Sequence, residues 1–286
     1  MSDAAFALSA FGDEIATDLS EQLIVLNELK IHHLDLRSAW GKGLPQMTDA
    51  DVQRVRDVCA EYTIEVACLG SPIGKSPIEA PIEEELANLG RVCEIAAALD
   101  CTRVRMFSFY PPDSETDVDY YRYLDTAASR LERLVDLAEE HGVVLLLENE
   151  RMLVGDTIDR CRALLRNVES EHLRFLWDPA NFVLVGEDRP TEKGWPVLGE
   201  YVSYVHIKDA HLADGGVCTA GEGDGQIGVL LRRLRQNGYR GVLSLEPHLV
   251  VAGHSGGFSG ADEMKRAVEA LRRVMRQTST VEVEHL

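Results

Sequence analysis

The stretch YVSYVHIKDAH, residues 201–211, decides the fold. Successive side chains of a β-strand point to opposite faces. Read as a strand, it sends Val205 and Ile207 to one side, and His206 and Lys208 to the other. Such a segment either runs out into solvent or carries ionisable groups to a site. The rest of the chain decides between these.

The same pattern, a short apolar run ending in polar residues, recurs along all 286 residues. The other runs are FALSAFGDE (6–14), HHLDLRSAW (32–40), TIEVACLGSPIGK (63–75), TRVRMFSFYPP (102–112), GVVLLLENE (142–150), LRFLWDPANF (173–182) and GVLSLEPHL (241–249). Between them lie helical patterns such as TDADVQRVRDVCAEY (48–62) and TAASRLERLVDLAEEHG (126–142). The second places Leu131, Leu134, Val135, Leu137 and Ala138 along one helix face and stops at Gly142. Eight strands alternating with helices in a chain of this length specify a (β/α)8 TIM barrel in a single domain. A doubly wound open sheet is the rival, but AFGDEIATD after the first strand is no glycine-rich phosphate turn. We assign residues 1–276 to the barrel and 277–286, QTSTVEVEHL, to a C-terminal tail with no place in the eight-fold pattern.

In such barrels the site lies at the C-terminal ends of the strands. Alternation sharpens this. In LLLENE, Glu148 and Glu150 oppose Leu145 and Leu147; in RFLWDP, Asp178 opposes Phe175 and Trp177; in LSLEPH, Glu246 and His248 oppose Leu243 and Leu245. Four consecutive strands thus aim a carboxylate or an imidazole at one mouth. Converging carboxylates repel each other and resist desolvation, and a divalent cation is the simplest remedy. Glu148, Asp178, His206 and Glu246 offer three oxygens and one nitrogen. That set suits Mn, Mg, Co or Fe, with Zn an option although no thiolate joins.

At these residues the chain resembles the sugar phosphate isomerase/epimerase family, the xylose isomerase-like TIM barrel superfamily, which includes ketose 3-epimerases, inosose isomerases and dehydratases, and endonuclease IV. The resemblance covers roughly the whole chain in strand order and is most specific in LENE, WDPANF, VHIKDA, GEGDG and LEPH. It implies one divalent metal ion held by Glu148, Asp178, His206 and Glu246. It also implies proton transfer next to a carbonyl, with the metal stabilising the enediolate. Glu148 and Glu246 are then the catalytic pair, one removing the proton and the other returning it. The sequence departs from the family's ketose epimerases at Asn181, where they often carry a His three residues after the Asp ligand. Asn181 can hydrogen-bond a sugar hydroxyl but carries no proton in that way.

Substrate-binding candidates around this core are Glu150 and Lys208, in phase with ligands; Asn181; Glu222 on the glycine-rich GEGDG loop; and His248. The first half adds Arg37 and His33 from HHLDLRSAW, Lys75, Arg105 and Glu14, some of which could bind a phosphate or carboxylate. Trp40 is a candidate wall of the mouth, and His32 and His254 are further candidates.

The expected activity is a divalent-metal-dependent isomerase or epimerase acting on a sugar, keto-polyol or sugar acid. A metal-dependent dehydratase or lyase is the nearest alternative, since the same intermediate can expel a β-hydroxyl. A non-catalytic sugar-binding barrel is the third. An endonuclease IV-like enzyme would need several early-strand His ligands and a basic groove, whereas 29 Lys and Arg against 48 Asp and Glu leave a net charge of −19. No nucleic acid partner is therefore expected. No run approaches the ~18 apolar residues of a membrane span. The N-terminus carries acids and no basic stretch, and the six cysteines form no CxxC pair, so we expect a reducing cytoplasm. The resemblance implies a homo-oligomer.

Overall fold

The computed structural model describes residues 5–112, 119–251 and 257–285. Among these, eight parallel strands close into a barrel: β1 (Ala5–Phe11), β2 (His33–Leu36), β3 (Glu65–Leu69), β4 (Arg103–Met106), β5 (Val144–Glu148), β6 (Leu173–Trp177), β7 (Val202–Ile207) and β8 (Gly241–Leu245). Each pairs with its sequence neighbours, and β8 closes on β1 with Ala10 opposite Leu245. The protein is thus a single TIM barrel, as its strand pattern requires.

The outer ring contains α1 (Leu19–Glu28), α2 (Asp49–Tyr62), α3 (Ile82–Ala98), α4 (Leu124–Glu140), α5 (Ile158–Asn167), a short α6 (Pro179–Leu184), α7 (Pro190–Leu198), α8 (Ile227–Gln236) and α9 (Ala261–Thr278). Local chemistry sets their starts. Asp18 caps α1, Thr157 caps α5, and Thr48 with Asp51 forms a reciprocal capping box on α2. Two buried layers follow from strand alternation. Leu145, Leu147, Phe175, Trp177, Val205, Ile207, Leu243 and Leu245 belong to the large cluster that the strands share with the helices. Leu146, Leu176, Tyr204, Val242, Ala67 and Cys68 fill the barrel interior.

The last residues also join the sheet. The strand β9 (Val281–Val283) pairs in parallel with Ala5–Ala7 of β1. It takes the edge left open because β2 meets β1 only from Ser9 onward. Arg272 of α9 binds Glu282 at 2.6 and 2.8 Å. The helix runs to Thr278, past the boundary drawn at residue 276, and three alternating residues are too short a run to read as a strand. Among the described residues, no helix is long and apolar enough to cross a membrane.

Candidate active site

The C-terminal ends of β5 to β8 bring Glu148, Asp178, His206 and Glu246 together. One ligand atom from each lies within 4.8 Å of the others, and all four are buried. His206 Nδ1 is 3.2 Å from Glu148 Oε1 and 3.5 Å from Glu246 Oε2. Strand phase alone predicts this convergence.

Local structure holds each group. Asp178 caps α6 by accepting from Asn181 N–H at 2.9 Å, with Pro179 in the first turn where its missing N–H costs nothing. Its other oxygen faces the cluster. Asn149 ties the ends of β5 and β6 together: its amide donates to Asp178 O at 2.8 Å and accepts from Asp178 N–H at 2.9 Å. Asn181 donates to Asn149 O at 2.9 Å and to Glu148 Oε1 at 3.3 Å, so it orients a carboxylate. Behind His206, Asp35 on β2 accepts from Ser9 and Tyr204 at 2.6 Å each. Its Oδ2 lies 3.9 Å from His206 Nε2, a charge contact beyond hydrogen-bond reach. This leaves Nδ1 as the imidazole atom facing the carboxylates.

Cations compensate the carboxylates. Lys208 Nζ sits 2.9 Å from Asp178 Oδ2 and 3.5 Å from Glu246 Oε2. Glu246 Oε1 meets Arg37 at 3.0 Å, and Arg105 and His248 at 3.4 Å each. Arg105 also approaches Glu148 Oε2 at 3.3 Å. Burial alone would raise both glutamates. Lys208 and His248 nevertheless hold Glu246 well below the carboxylate range, and His206 with Arg105 brings Glu148 down to about 2. Asp178 goes the other way, pushed up to about 6, because burial outweighs Lys208. Burial works against a charge on Lys208, yet Asp178 and the glutamates keep its ammonium firmly protonated. Burial likewise disfavours an imidazolium at His206, but Glu148 prevails and its pKa is raised.

The donor set fits a divalent metal. Glu148 Oε2 and Asp178 Oδ2 are buried and make no hydrogen bond of good geometry, having only the charge neighbours just described. Three carboxylates and one imidazole, which gives up its proton when it ligates, form a hard site, and a cation supplies what those oxygens lack.

The other candidates divide. Glu150 pairs with Lys75 at 3.1 Å at the mouth. Glu14 accepts from His248 N–H at 2.9 Å and Ser259 Oγ at 2.6 Å, and its second oxygen is 3.3 Å from His248 Nε2. Glu14, Glu246 and His248 therefore form a second close group that shares Glu246 with the first. His33 lies elsewhere. It opens β2, at the barrel's opposite end, beside Glu65 at 3.9 Å and the His285 ring, so correct phase came with the wrong depth. Glu222 is half exposed and lies 3.9 Å from Arg273 on α9. The loop that carries it is organised by Asp209, which accepts N–H groups from Gly221, Gly223 and Gly225 at 2.9–3.1 Å. Trp40 is no wall of the mouth: it donates to Asp18 at the start of α1 and lies under Arg54. His32 packs against His285, and His254 lies outside the described residues.

Sequence reasoning missed Asp13, Asn149, Asp35 and Asp209 as organisers. Asp13 accepts from Arg37 at 2.9 Å and from Ser38 at 2.8 Å. The signal available for Asn149 and Asp209 was their position beside a ligand strand end.

A family model, Xylose isomerase-like TIM barrel, matches residues 28–274. An uncharacterized protein of Methanocaldococcus jannaschii is 22% identical over 229 residues, 77% of each chain. D-psicose 3-epimerase from Clostridium cellulolyticum H10, solved with D-tagatose, superposes with a TM-score of 0.76 at 14% identity, over 96% of this chain and 100% of that one. A xylose isomerase-like TIM barrel protein from Mycobacterium smegmatis in complex with magnesium gives 0.70 at 19% identity, over 96% and 97%. Likeness at such identities speaks for the fold. The sequence match covers most of the chain and the barrel closes as that fold requires, so the protein belongs to the Xylose isomerase-like TIM barrel family.

Proposed function

We propose that this protein is a divalent-metal-dependent isomerase or epimerase that moves a proton next to the carbonyl of a sugar, keto-polyol or sugar acid. The observation that carries this reading is the buried convergence of Glu148, Asp178, His206 and Glu246 from four successive strands. When bound there, a divalent cation supplies electrophilic stabilisation of negative charge developing on substrate oxygens. The magnesium complex of the Mycobacterium smegmatis barrel and the epimerase named among the similar folds support the assignment.

The chain's own groups do the rest. Glu148 at the end of β5 and Glu246 just past β8, with carboxylate oxygens within 4.8 Å of each other, are the pair we assign to remove the proton and return it. Lys208, kept charged by Asp178 and Glu246, is a fixed donor for a substrate oxygen. Asn181 and Asn149 hold Glu148 and Asp178 in place, and Asp35 faces the far nitrogen of His206. Holding the reacting carbon among these groups contributes more than the ~10²–10⁴-fold expected of acid–base catalysis alone.

The test has two steps. Elemental analysis should find about one divalent metal per chain, lost in His206→Ala. Loaded protein in D2O is then followed by proton NMR with ketoses, keto-polyols and sugar acids. Loss of the signal at the carbon beside the carbonyl is expected, and chelation should stop it. A product one water lighter would move the assignment to a dehydratase. No metal bound, and none taken up on titration, would overturn the reading and favour a sugar-binding barrel.

A further inference from the structure

The proposed ligands come from the second half of the barrel, and three buried or nearly buried cations come from the first. Arg37 follows β2, Lys75 follows β3, and Arg105 sits within β4. All three line one cavity of about 460 Å³, where Asp13 is the single acid among the described lining residues. The other acids that pair with these cations, Glu148, Glu150 and Glu246, are not among the cavity's lining residues.

Aromatic rings build this cationic wall. Arg37 lies 4.7 Å from the Phe11 ring centroid, and Arg105 lies 5.0 Å from it. Arg105 is also 4.9 Å, and Lys75 4.3 Å, from the Phe107 ring. The order is therefore Arg37, Phe11, Arg105, Phe107, Lys75. Both phenylalanines are fully buried, so they space like charges and fix their direction without neutralising them. The carboxylates that do neutralise them are partly shared. Arg105 relies on Glu148 and Glu246, Arg37 on Asp13 and Glu246, and Lys75 on Glu150 at 3.1 Å. A divalent cation drawing on Glu148 and Glu246 would leave both guanidiniums with less countercharge.

The geometry points to a substrate that carries an oxyanion, a carboxylate or a phosphate, seated among Arg37, Lys75 and Arg105. This deepens the proposed function and rests on it for which end of the substrate reacts. Guanidinium forks match both oxyanions in shape, and the ammonium of Lys75 adds a third positive charge. Tyr110 and Ser38 line the same cavity and can take hydroxyls.

Calorimetric titration of the metal-loaded protein tests this with D-glycerate, inorganic phosphate and glycerol. Glycerate and glycerol differ in the carboxylate alone. At least one anion should bind ~10-fold or more tighter than glycerol, and binding should weaken as salt rises. Lys75→Met should lower that affinity about 10-fold with metal per chain unchanged, while Lys75→Arg keeps the preference. A preference for phosphate marks a phosphorylated substrate; a preference for glycerate marks a sugar acid. Equal binding of anions and glycerol overturns the inference. So does an anion affinity untouched in Lys75→Met, which would place the anion on the metal. Protein that takes up no metal yet binds anions through Lys75 keeps the anion site and loses the metal-dependent reaction. Protein that takes up metal but prefers glycerol does the reverse.

Discussion

Glu246→Gln is the most informative single change. It keeps the side chain's shape and removes one negative charge from among Arg37, Arg105, Lys208 and His248, at 3.0–3.5 Å. Breaking a buried ion pair from one side costs about 3–5 kcal/mol, because the partners stay buried and unpaired. Unfolding entropy of about 2.1 cal/mol/K per residue gives about 0.6 kcal/mol/K for this chain, so Tm of the metal-free variant should fall by roughly 5–8 °C. Metal gives the second readout. At 100 times its Kd, a cation stabilises the parent by about 2.7 kcal/mol, or roughly 4–5 °C. If the amide weakens metal binding by roughly 100-fold, the same concentration only matches the new Kd. The gain then drops to about 0.4 kcal/mol, under about 1 °C. Scanning calorimetry on chelator-treated protein, with and without Mn2+, measures both. A variant that keeps the full metal-induced shift would refute Glu246 as a ligand. An unchanged or higher metal-free Tm would refute the charge balance described for the mouth.

Other consequences are equally direct. Asp35→Asn touches none of the carboxylates but removes the charge facing His206 Nε2, so metal affinity should fall about 10–100-fold while stoichiometry stays at one; unchanged affinity would leave Asp35 a packing residue. Metal uptake should weaken on acidification. Burial pushes Asp178 up to about 6, and the pKa of His206 is raised by Glu148 against the effect of burial, so both hold protons that the cation must displace. Affinity that stays flat by calorimetry from about pH 7.5 to 5.5 would contradict this. Asp209→Ala strands three loop N–H groups and should cost about 2–4 kcal/mol, roughly 3–7 °C in Tm, with metal content intact. Loss of metal in that variant would mean that the glycine-rich loop helps form the site.

Much of the site was legible because strands five to eight each end in an apolar–ionisable alternation, and a two-residue period fixes the facing of a side chain once its strand is known. Glu148, His206 and Glu246 follow from that phase alone. Phase says nothing of depth, however. His33 and Arg37 share a face on paper, yet β2 is four residues long and sets them at opposite ends of the barrel. Glu222 misled for another reason. Its glycines serve a turn wrapped around Asp209, and a carboxylate that collects backbone N–H groups resembles any other Asp in a sequence.

By itself, then, the sequence determined the eight-fold alternation, the single barrel, the inward set on the last four strands and the chemistry those donors favour. These rest on local periodicity and residue type, which need no partner to be read. Tertiary structure decided what depends on closure. Joining β8 to β1 brings Glu246 beside Arg37, 209 positions away, and His248 beside Glu14, 234 away. It also decided that Arg37, Arg105 and Lys75 stand in one row interleaved with two phenylalanine rings, and that residues 281–283 complete the edge of β1. No local pattern encodes such contacts, because their energy comes from burying charges and rings together, which happens only once the barrel has closed.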